Sequence, residues 1–229
     1  ADEYPDPLAV VRRRVHEMHK LADDLTLLVR AERGVAEAGV REVRIDTLLQ
    51  GCRERLAHLS TERRVQIRVV DSAPGVVVFG DPRLLARAID NVVANALQHS
   101  AAGGHVIVEP CYTAAAEDAW EAGCVHVRVS DQGPGIPQHE WERIFDRFYR
   151  LDSSRSRRTG GTGLGLPICR AIMSLFGGSV RVLSSSTTGS VFQLTMQGGE
   201  AGQAPRPAAG SAAEPEPLPL LAGDIQAIS

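Results

Sequence analysis

The sequence predicts an α+β fold, a two-layer α/β sandwich with helices on one face of a mixed sheet, preceded by one long α-helix. Three observations point there. Short apolar or alternating runs such as "VQIRVV", "GHVIVE", "CVHVRVS" and "GSVRVLS" read as strands. Longer amphipathic stretches fall between them, the clearest being "GDPRLLARAIDNVVANALQHS". Strands that follow one another through hairpins, with helices interspersed, place those helices as a layer on a shared sheet.

The first segment, residues 1–38, contains "VVRRRVHEMHKLADDLTLLVRAER", which sets Val11, Met18, Leu21, Leu25 and Leu28 on one stripe near heptad spacing. Its other face is charged, so the helix calls for a partner helix, and Gly34 is expected to stop it. From Val43 the pattern becomes a short strand, an N-cap at Asp46 and one amphipathic helix through "RERLAHLSTERR". "VQIRVV" and "GVVVF" flank the turn "DSAPG". In the next helix Asp81 is the N-cap and Pro82 takes the first helical position, where its missing N–H is harmless. Two strands, "GHVIVE" and "CVHVRVS", are joined by the Ala-rich "PCYTAAAEDAWEAG". Then come "DQGPGIP", a short helix "QHEWERIFDRFYR" and the polar, arginine-rich "LDSSRSRRTGGTG". A helix "LGLPICRAIMSLFG" and the hairpin strands "GSVRVLS" and "GSVFQLTMQ" complete one domain over residues 39–197. Residues 198–229, rich in Ala, Pro and Gly, are expected to form a disordered tail, with "PLPLL" as solvated linker.

A chain of 229 residues can bury one good core. A net charge of −3, with both signs mixed along the chain, gives no case for nucleic acid. Cys52, Cys111, Cys124 and Cys169 are scattered and form no C-x-x-C pair. That argues against a structural zinc site or a disulfide scaffold and for reduced thiols in the cytoplasm. No apolar run approaches the roughly 20 residues that span a bilayer, and no signal peptide is evident, so direct membrane contact is not expected.

Taken alone, the D-x-G-x-G-I-P of "DQGPGIP" reads better as a bare strand–turn–helix connection than as a ligand loop. "GTGLGL" is not the dinucleotide fingerprint, because Ile168 stands where the last glycine would be, and no G-x-x-x-x-G-K-[ST] is present. Read in order, however, "NVVANALQHS", "DQGPGIP", "RIFDRFYR" and "GGTGLGLPI" resemble the N, G1, F and G2 boxes of the histidine-kinase ATP-binding domain. This is the Bergerat or GHKL fold, shared with gyrase and the Hsp90 chaperones, and the resemblance covers residues 43–197.

The resemblance implies ATP and Mg²⁺. Asn91, Asn95 and Gln98 are spaced to share one helix face. In the family the residue matching Asn95 gives its amide oxygen to Mg²⁺, which suits a hard ion that takes few protein ligands. Asn91 and His99 match positions lining the phosphates. Gln98 departs from the pattern: many relatives carry Lys or Arg there, so more of the charge neutralisation falls to Mg²⁺ and to lid arginines. Asp131 matches the carboxylate that accepts from the adenine 6-amino group, where guanine would present a carbonyl. Gly133 and Gly135 lack a Cβ and let the backbone bend close to the base. Ile136, Arg150, Arg155 and the run Gly161, Thr162, Gly163, Leu164, Gly165 and Leu166 complete the implied nucleotide set. N–H groups and the helix dipole after the glycines suit phosphate oxygens. Arg155, Arg157 and Arg158 in the lid are either a phosphate clamp or part of a solvated loop. Phe145 and Phe148 read as a packing anchor.

The branch of the family turns on one position. Gyrase-like, Hsp90-like and anti-sigma-factor relatives carry a Glu base four residues before the metal-binding Asn, and here that residue is Asn91, whose neutral amide cannot accept a proton. The resemblance therefore favours a protein histidine kinase over a GHKL ATPase or a nucleotide-binding regulatory module. "VHEMHKL" lacks the proline of an acceptor motif, so His16 and His19 read as exposed helix residues. "LADDLTLLVRAERG" resembles the second dimerisation helix, and the acceptor histidine is expected on a first helix outside these residues. The implied partners are a response regulator and a dimerisation helix, from a second copy or from another kinase chain, with a homodimer as the full-length form.

Overall fold

The computed structural model describes residues 7–33, 39–70, 72–114, 123–151 and 162–201. Five α-helices and seven strands alternate along them. They are α1 (Pro7–Glu32), β1 (Arg41–Arg44), α2 (Ile45–Arg55), α3 (Ala57–Arg63), β2 (Gln66–Val69), β3 (Val76–Gly80) and α4 (Pro82–His99). After them come β4 (His105–Thr113), β5 (Cys124–Ser130), α5 (Gly165–Leu175), β6 (Ser179–Ser186) and β7 (Gly189–Glu200). The expected stop at Gly34 lies outside the described residues. Among those residues no helix is long and apolar enough to cross a membrane.

The strands form one mixed sheet in the order β1-β3-β7-β5-β4-β2, with β6 also on β7. The β2–β4 pair is parallel and the other pairs are antiparallel. The α+β architecture is the one predicted. Strand β5 shows why one face is covered: Val125, Val127 and Val129 are buried, while His126 and Arg128 between them stay half-open. Onto the apolar face pack α4, through Leu85, Ile89, Val92, Val93 and Leu97, and α5, through Ile168, Ile172 and Met173. Each such side chain, fully buried, contributes roughly 1.5–3 kcal/mol. Asp81 caps α4 as expected, its Oδ1 accepting from Arg83 N at 2.7 Å and Leu84 N at 3.2 Å.

Several local expectations give way to tertiary structure. "DSAPG" does not close a hairpin: β2 lies at one sheet edge, whereas β3 sits between β1 and β7. All five residues of β3 are buried and need neighbours on both sides, whereas β2 alternates exposed and half-buried, as an edge strand can. Asp46 is not the N-cap. The helix already starts at Ile45 with Arg44 as cap, and the Asp46 carboxylate accepts from Thr47 N and pairs with the Arg44 guanidinium. The single helix expected there breaks at Leu56, because the buried stripe ends at Cys52 and α3 buries nothing. "QHEWERIFDRFYR" folds as two 3₁₀ turns, Gln138–Glu140 and Arg143–Phe145. Glu140, accepting from Tyr149 Oη and Arg143, ties the segment back on itself, and Trp141 Nε1 donates to Ile136 O. Strand β7 runs to Glu200, three residues past Gln197, because Gly198–Glu200 pair with β3.

The stripe on α1 divides in two. Leu28 and Ala31 are buried against α5, and Asp24, also buried, forms an ion pair with Arg87 of α4. Val11, Met18 and Leu25 instead join Leu8, Val15 and Val29 as exposed apolar residues. Removing one member of a buried ion pair strands the other. For Arg87→Ala, discounted because Arg87 is about one-third open, the expected loss is about 1–2 kcal/mol. Hydrogen exchange of α1 amides should quicken selectively; unchanged protection would show that Asp24–Arg87 does not hold the helix.

Candidate nucleotide site

Asp131 leaves β5 directly after Ser130 and is fixed by the neighbouring strand. Its N–H donates to Ser190 O at 2.9 Å, and its Oδ1 accepts from Gly133 N at 2.8 Å and Ser190 N at 3.1 Å. Both side-chain bonds fall on Oδ1, so Oδ2 has no donor among the described residues and can accept one from a ligand. Burial raises the Asp131 pKa above its ordinary value, against the lowering effect of the Gly133 and Ser190 N–H groups and of His99. On the α4 side, Gln132 N donates to Ser100 Oγ at 3.2 Å, and Gln132 Oε1 accepts from His105 N at 2.9 Å. The loop is thus tied on both flanks. Gly135 adopts φ 79°, and a Cβ there would collide with the Ser186 carbonyl oxygen. Only glycine satisfies both demands.

Across from this loop, α4 carries Asn91, Asn95 and Gln98 on one face, all half-buried. Asn91 is the informative one. Its Nδ2 is buried without a hydrogen-bond partner among the described residues. The Asn91 side chain faces Gly165, whose hypothetical Cβ would lie 3.8 Å from Asn91 Oδ1. Gly165 opens α5, which begins with no side-chain cap, so the first N–H groups of that helix also lack a built-in acceptor among the described residues. Stranding such a donor costs on the order of 1–3 kcal/mol, so the arrangement suits an anion held between α4 and α5. Asn95, one turn further on, has no protein partner among the described residues, and its amide oxygen is the donor type that Mg²⁺ takes. His99 keeps an exposed edge. Burial of the ring lowers its pKa; Asp131 opposes this, and Arg150 and Arg63 add to it. The imidazole is therefore neutral at pH 7.

The F-box segment meets the chain just ahead of α5. Phe148 takes φ 62°, and its N–H donates to Gly163 O at 3.0 Å. Gly163, at φ 71°, cannot carry a Cβ, which would lie 2.9 Å from Phe148 Cα. This contact closes a neck from which the chain between 149 and 162 departs. Phe145 is buried and Phe148 exposed, so the expected anchor is Phe145 alone, with Arg170 stacked 4.3 Å from its ring. Leu164 is buried, while Ile136, Arg150, Thr162 and Leu166 are half-buried. Arg155, Arg157, Arg158 and Gly161 lie outside the described residues. His19 is exposed on α1.

Sequence and fold comparisons place the chain in a family. The family described as "Histidine kinase-, DNA gyrase B-, and HSP90-like ATPase" matches residues 80–199, just over half of the chain. The chain belongs to that family. Within the ATPase family, it is 35% identical over 198 residues to the sensor-like histidine kinase SenX3 of Mycolicibacterium smegmatis, covering 83% of this chain and 49% of that protein. It is 32% identical to the sensor histidine kinase RppB of Synechocystis, covering 82% of this chain and 40% of the relative. The chain thus spans about half or less of the length of these curated relatives. Among solved structures, full-length ShkA in complex with AMPPNP superposes with a TM-score of 0.69 at 25% identity, covering 84% of this chain and 38% of ShkA. The mycobacterial sensor histidine kinase MprB gives 0.55 at 27%, covering 70% of this chain and 98% of the other.

Sequence reading missed the serines behind the ATPase loop, Ser185 and Ser190, whose only signal was the small polar run "SSSTTGS". The raised pKa of Asp131 carries a stability consequence. A folded pKa above the unfolded one gives a contribution that is present below the unfolded value of about 3.9 and lost as pH rises through the folded value. Asp131→Asn, which can keep both Oδ1 bonds, should therefore match or exceed the parent in denaturant midpoint at pH 8 and lose that advantage near pH 3.5. A large loss of stability at pH 8 would contradict the account.

Proposed function

We propose that this chain is the ATP-binding catalytic part of a sensor histidine kinase and passes the γ-phosphoryl group of ATP to a histidine. The observation that carries the reading is the pairing of a fixed carboxylate with stranded donors. Asp131 Oδ2 is open to an amino group on one side of the cleft, and Asn91 Nδ2 with the uncapped start of α5 meets an anion on the other. A molecule with an amino-bearing base at one end and phosphates at the other answers both.

In this reading Asp131 accepts from the adenine 6-amino group and Gly133, Gly135 and Ile136 form the bed of the base. Asn91, Gln98, His99, Arg150 and the N–H groups from Thr162 to Leu166 hold the phosphates, with Arg155 and Gly161 contributed by the lid. Asn95 would hold Mg²⁺, which neutralises charge across the phosphates. A histidine ring nitrogen forms a bond to the γ-phosphorus as the bond to the β-phosphate oxygen breaks, and ADP leaves with the electron pair. Asn91 occupies the position where an ATP-hydrolysing relative would have a base, and an amide removes no proton from water. The chain's own residues therefore position and neutralise, while the nucleophile comes from elsewhere.

The division that goes with this is 1–38 for the dimerisation segment, 39–200 for the catalytic domain, whose last strand runs past the expected bound at 197, and the remainder for the tail. The acceptor histidine belongs to another helix packed along Leu8, Val11, Val15 and Met18, whose spacing of three and four residues is that of a coiled-coil seam. The helix comes from a second copy or a partner kinase. A response regulator receives the phosphate on an aspartate, and the cytoplasm is the compartment where these steps occur.

Asp131→Asn should weaken Mg·ATP binding by about 10- to 100-fold, because a charged acceptor is lost and an amide N–H₂ faces the base amino group. Calorimetry reads this directly, and parent-like affinity in the variant would exclude the carboxylate as the base reader. Parent affinity should also fall on the acid side at a pH above the ordinary carboxylate value, because the buried acid must ionise before it can accept. Gln98→Lys places a cation among the phosphates and should tighten ATP binding. Equal or weaker binding in that variant would move residue 98 out of the phosphate site.

A further inference from the structure

We propose that Ser185 is a positioning residue for the base-reading loop and sets the preference for an amino-bearing purine through Ile136 and Asp131. This rests on the nucleotide reading above and adds a residue outside the cleft to it. Ser185 Oγ accepts from Ile136 N at 2.7 Å and shares a hydrogen bond of 2.9 Å with Ser190 Oγ. Ser190, only 4% exposed, is the residue whose N–H reaches Asp131 Oδ1 and whose carbonyl takes the Asp131 N–H. One hydroxyl thus joins both ends of the loop: Ile136 directly and Asp131 through Ser190.

A bulge makes this possible. Strand β6 runs in register with β7 as far as Val182↔Phe192, then shifts so that Ser184 faces Val191 and Ser185 faces Ser190. Without the extra residue Ser184 would stand opposite Ser190, and Ser185 would point to the other face. The hairpin backbone is also close to the loop: a Cβ at Gly135 would meet Ser186 O, and one at Gly189 would meet Asp131 O. At such separations the loop cannot shift inward. Loss of the Ser185 hydroxyl strands the Ile136 N–H and the Ser190 hydroxyl, and the available relief is outward movement of the Asp131–Ile136 segment, which carries the carboxylate away from the base.

The test compares Mg·ATP with Mg·ITP, whose hypoxanthine presents a carbonyl where adenine has its amino group. Ser185→Ala should weaken ATP about fivefold and ITP by no more than about twofold, so the ATP:ITP preference falls. Ser185→Thr keeps the hydroxyl and should restore the preference, and Thr188→Ala at the exposed hairpin tip should leave it unchanged. Ser185→Cys, of similar volume but a weak acceptor, carries the same expectation as alanine should the latter fail to fold. Equal losses for both nucleotides, or an undiminished preference, would overturn the role of Ser185 alone. A parent chain that binds neither nucleotide, or does not prefer ATP, would overturn the reading of the cleft and this inference with it.

Discussion

The contact on which the rest depends is the grip of two backbone N–H groups on Asp131 Oδ1. A half-buried carboxylate is costly unless its lone pairs are met, and here they are met on one oxygen only. That asymmetry turns a structural group into a binding group. Had Gly133 N and Ser190 N been divided between the two oxygens, the side chain would be satisfied and of little use to a ligand. The arrangement requires that β5 and β7 be antiparallel neighbours in the register Ser130↔Val191, because only then does the first residue beyond β5 meet Ser190. Sheet register and the placing of the Asp131 carboxylate are one constraint.

Strand β7 accordingly organises the molecule. Its first half is shared by β5 and β6, and its last residues pair with β3. This places the loop after β5, the β6–β7 hairpin and the C-terminal end of α4 around one end of the sheet. Helix α5 packs on α4 over the covered face, with its uncapped start beside Asn91. The candidate site draws on elements distant in sequence: a backbone bond to β7 fixes the Asp131 loop, while helix packing brings Asn91 to the start of α5.

The parts legible in the sequence were those with local causes. The capping of α4 by Asp81 and Pro82, the alternation of β5 and the common face of Asn91, Asn95 and Gln98 follow from spacing alone. The strands on either side of "DSAPG" were legible but their pairing was not, because a turn signal says where the chain bends, not which strand it will pair with; the burial of all of β3 decided that. The helix expected over 138–150 failed because Glu140, Tyr149 and Trp141 form bonds that a continuous helix would separate. The N-cap assigned to Asp46 failed by a smaller margin, since the same carboxylate still takes a first-turn N–H from one position further in. Ser185 was illegible for a different reason: its role depends on a one-residue bulge, and no residue type in "VLSSS" announces one.

The electrostatics of the cleft narrow what it can do. Along α4 the side chains proposed for the phosphates are amides and the His99 imidazole, whose pKa burial lowers, while the fixed carboxylate of Asp131 is the group proposed for the base. A triphosphate therefore meets oriented donors rather than cations on this wall. Donors of this kind fix direction and add little long-range attraction, in contrast with a Lys at position 98, whose charge would act over the whole cleft. On the proposed reading, net attraction would be left to Arg63 and Arg150, whose charges already act on His99, to the arginines between 151 and 160, and to a metal ion brought with the nucleotide. Such a wall discriminates by geometry: it orients a triphosphate that other charges have drawn in, and it offers no base to attack the γ-phosphorus with water. Both properties fit the proposed transfer to a histidine, and on that proposal they trace to the same two residues, Asn91 and Gln98.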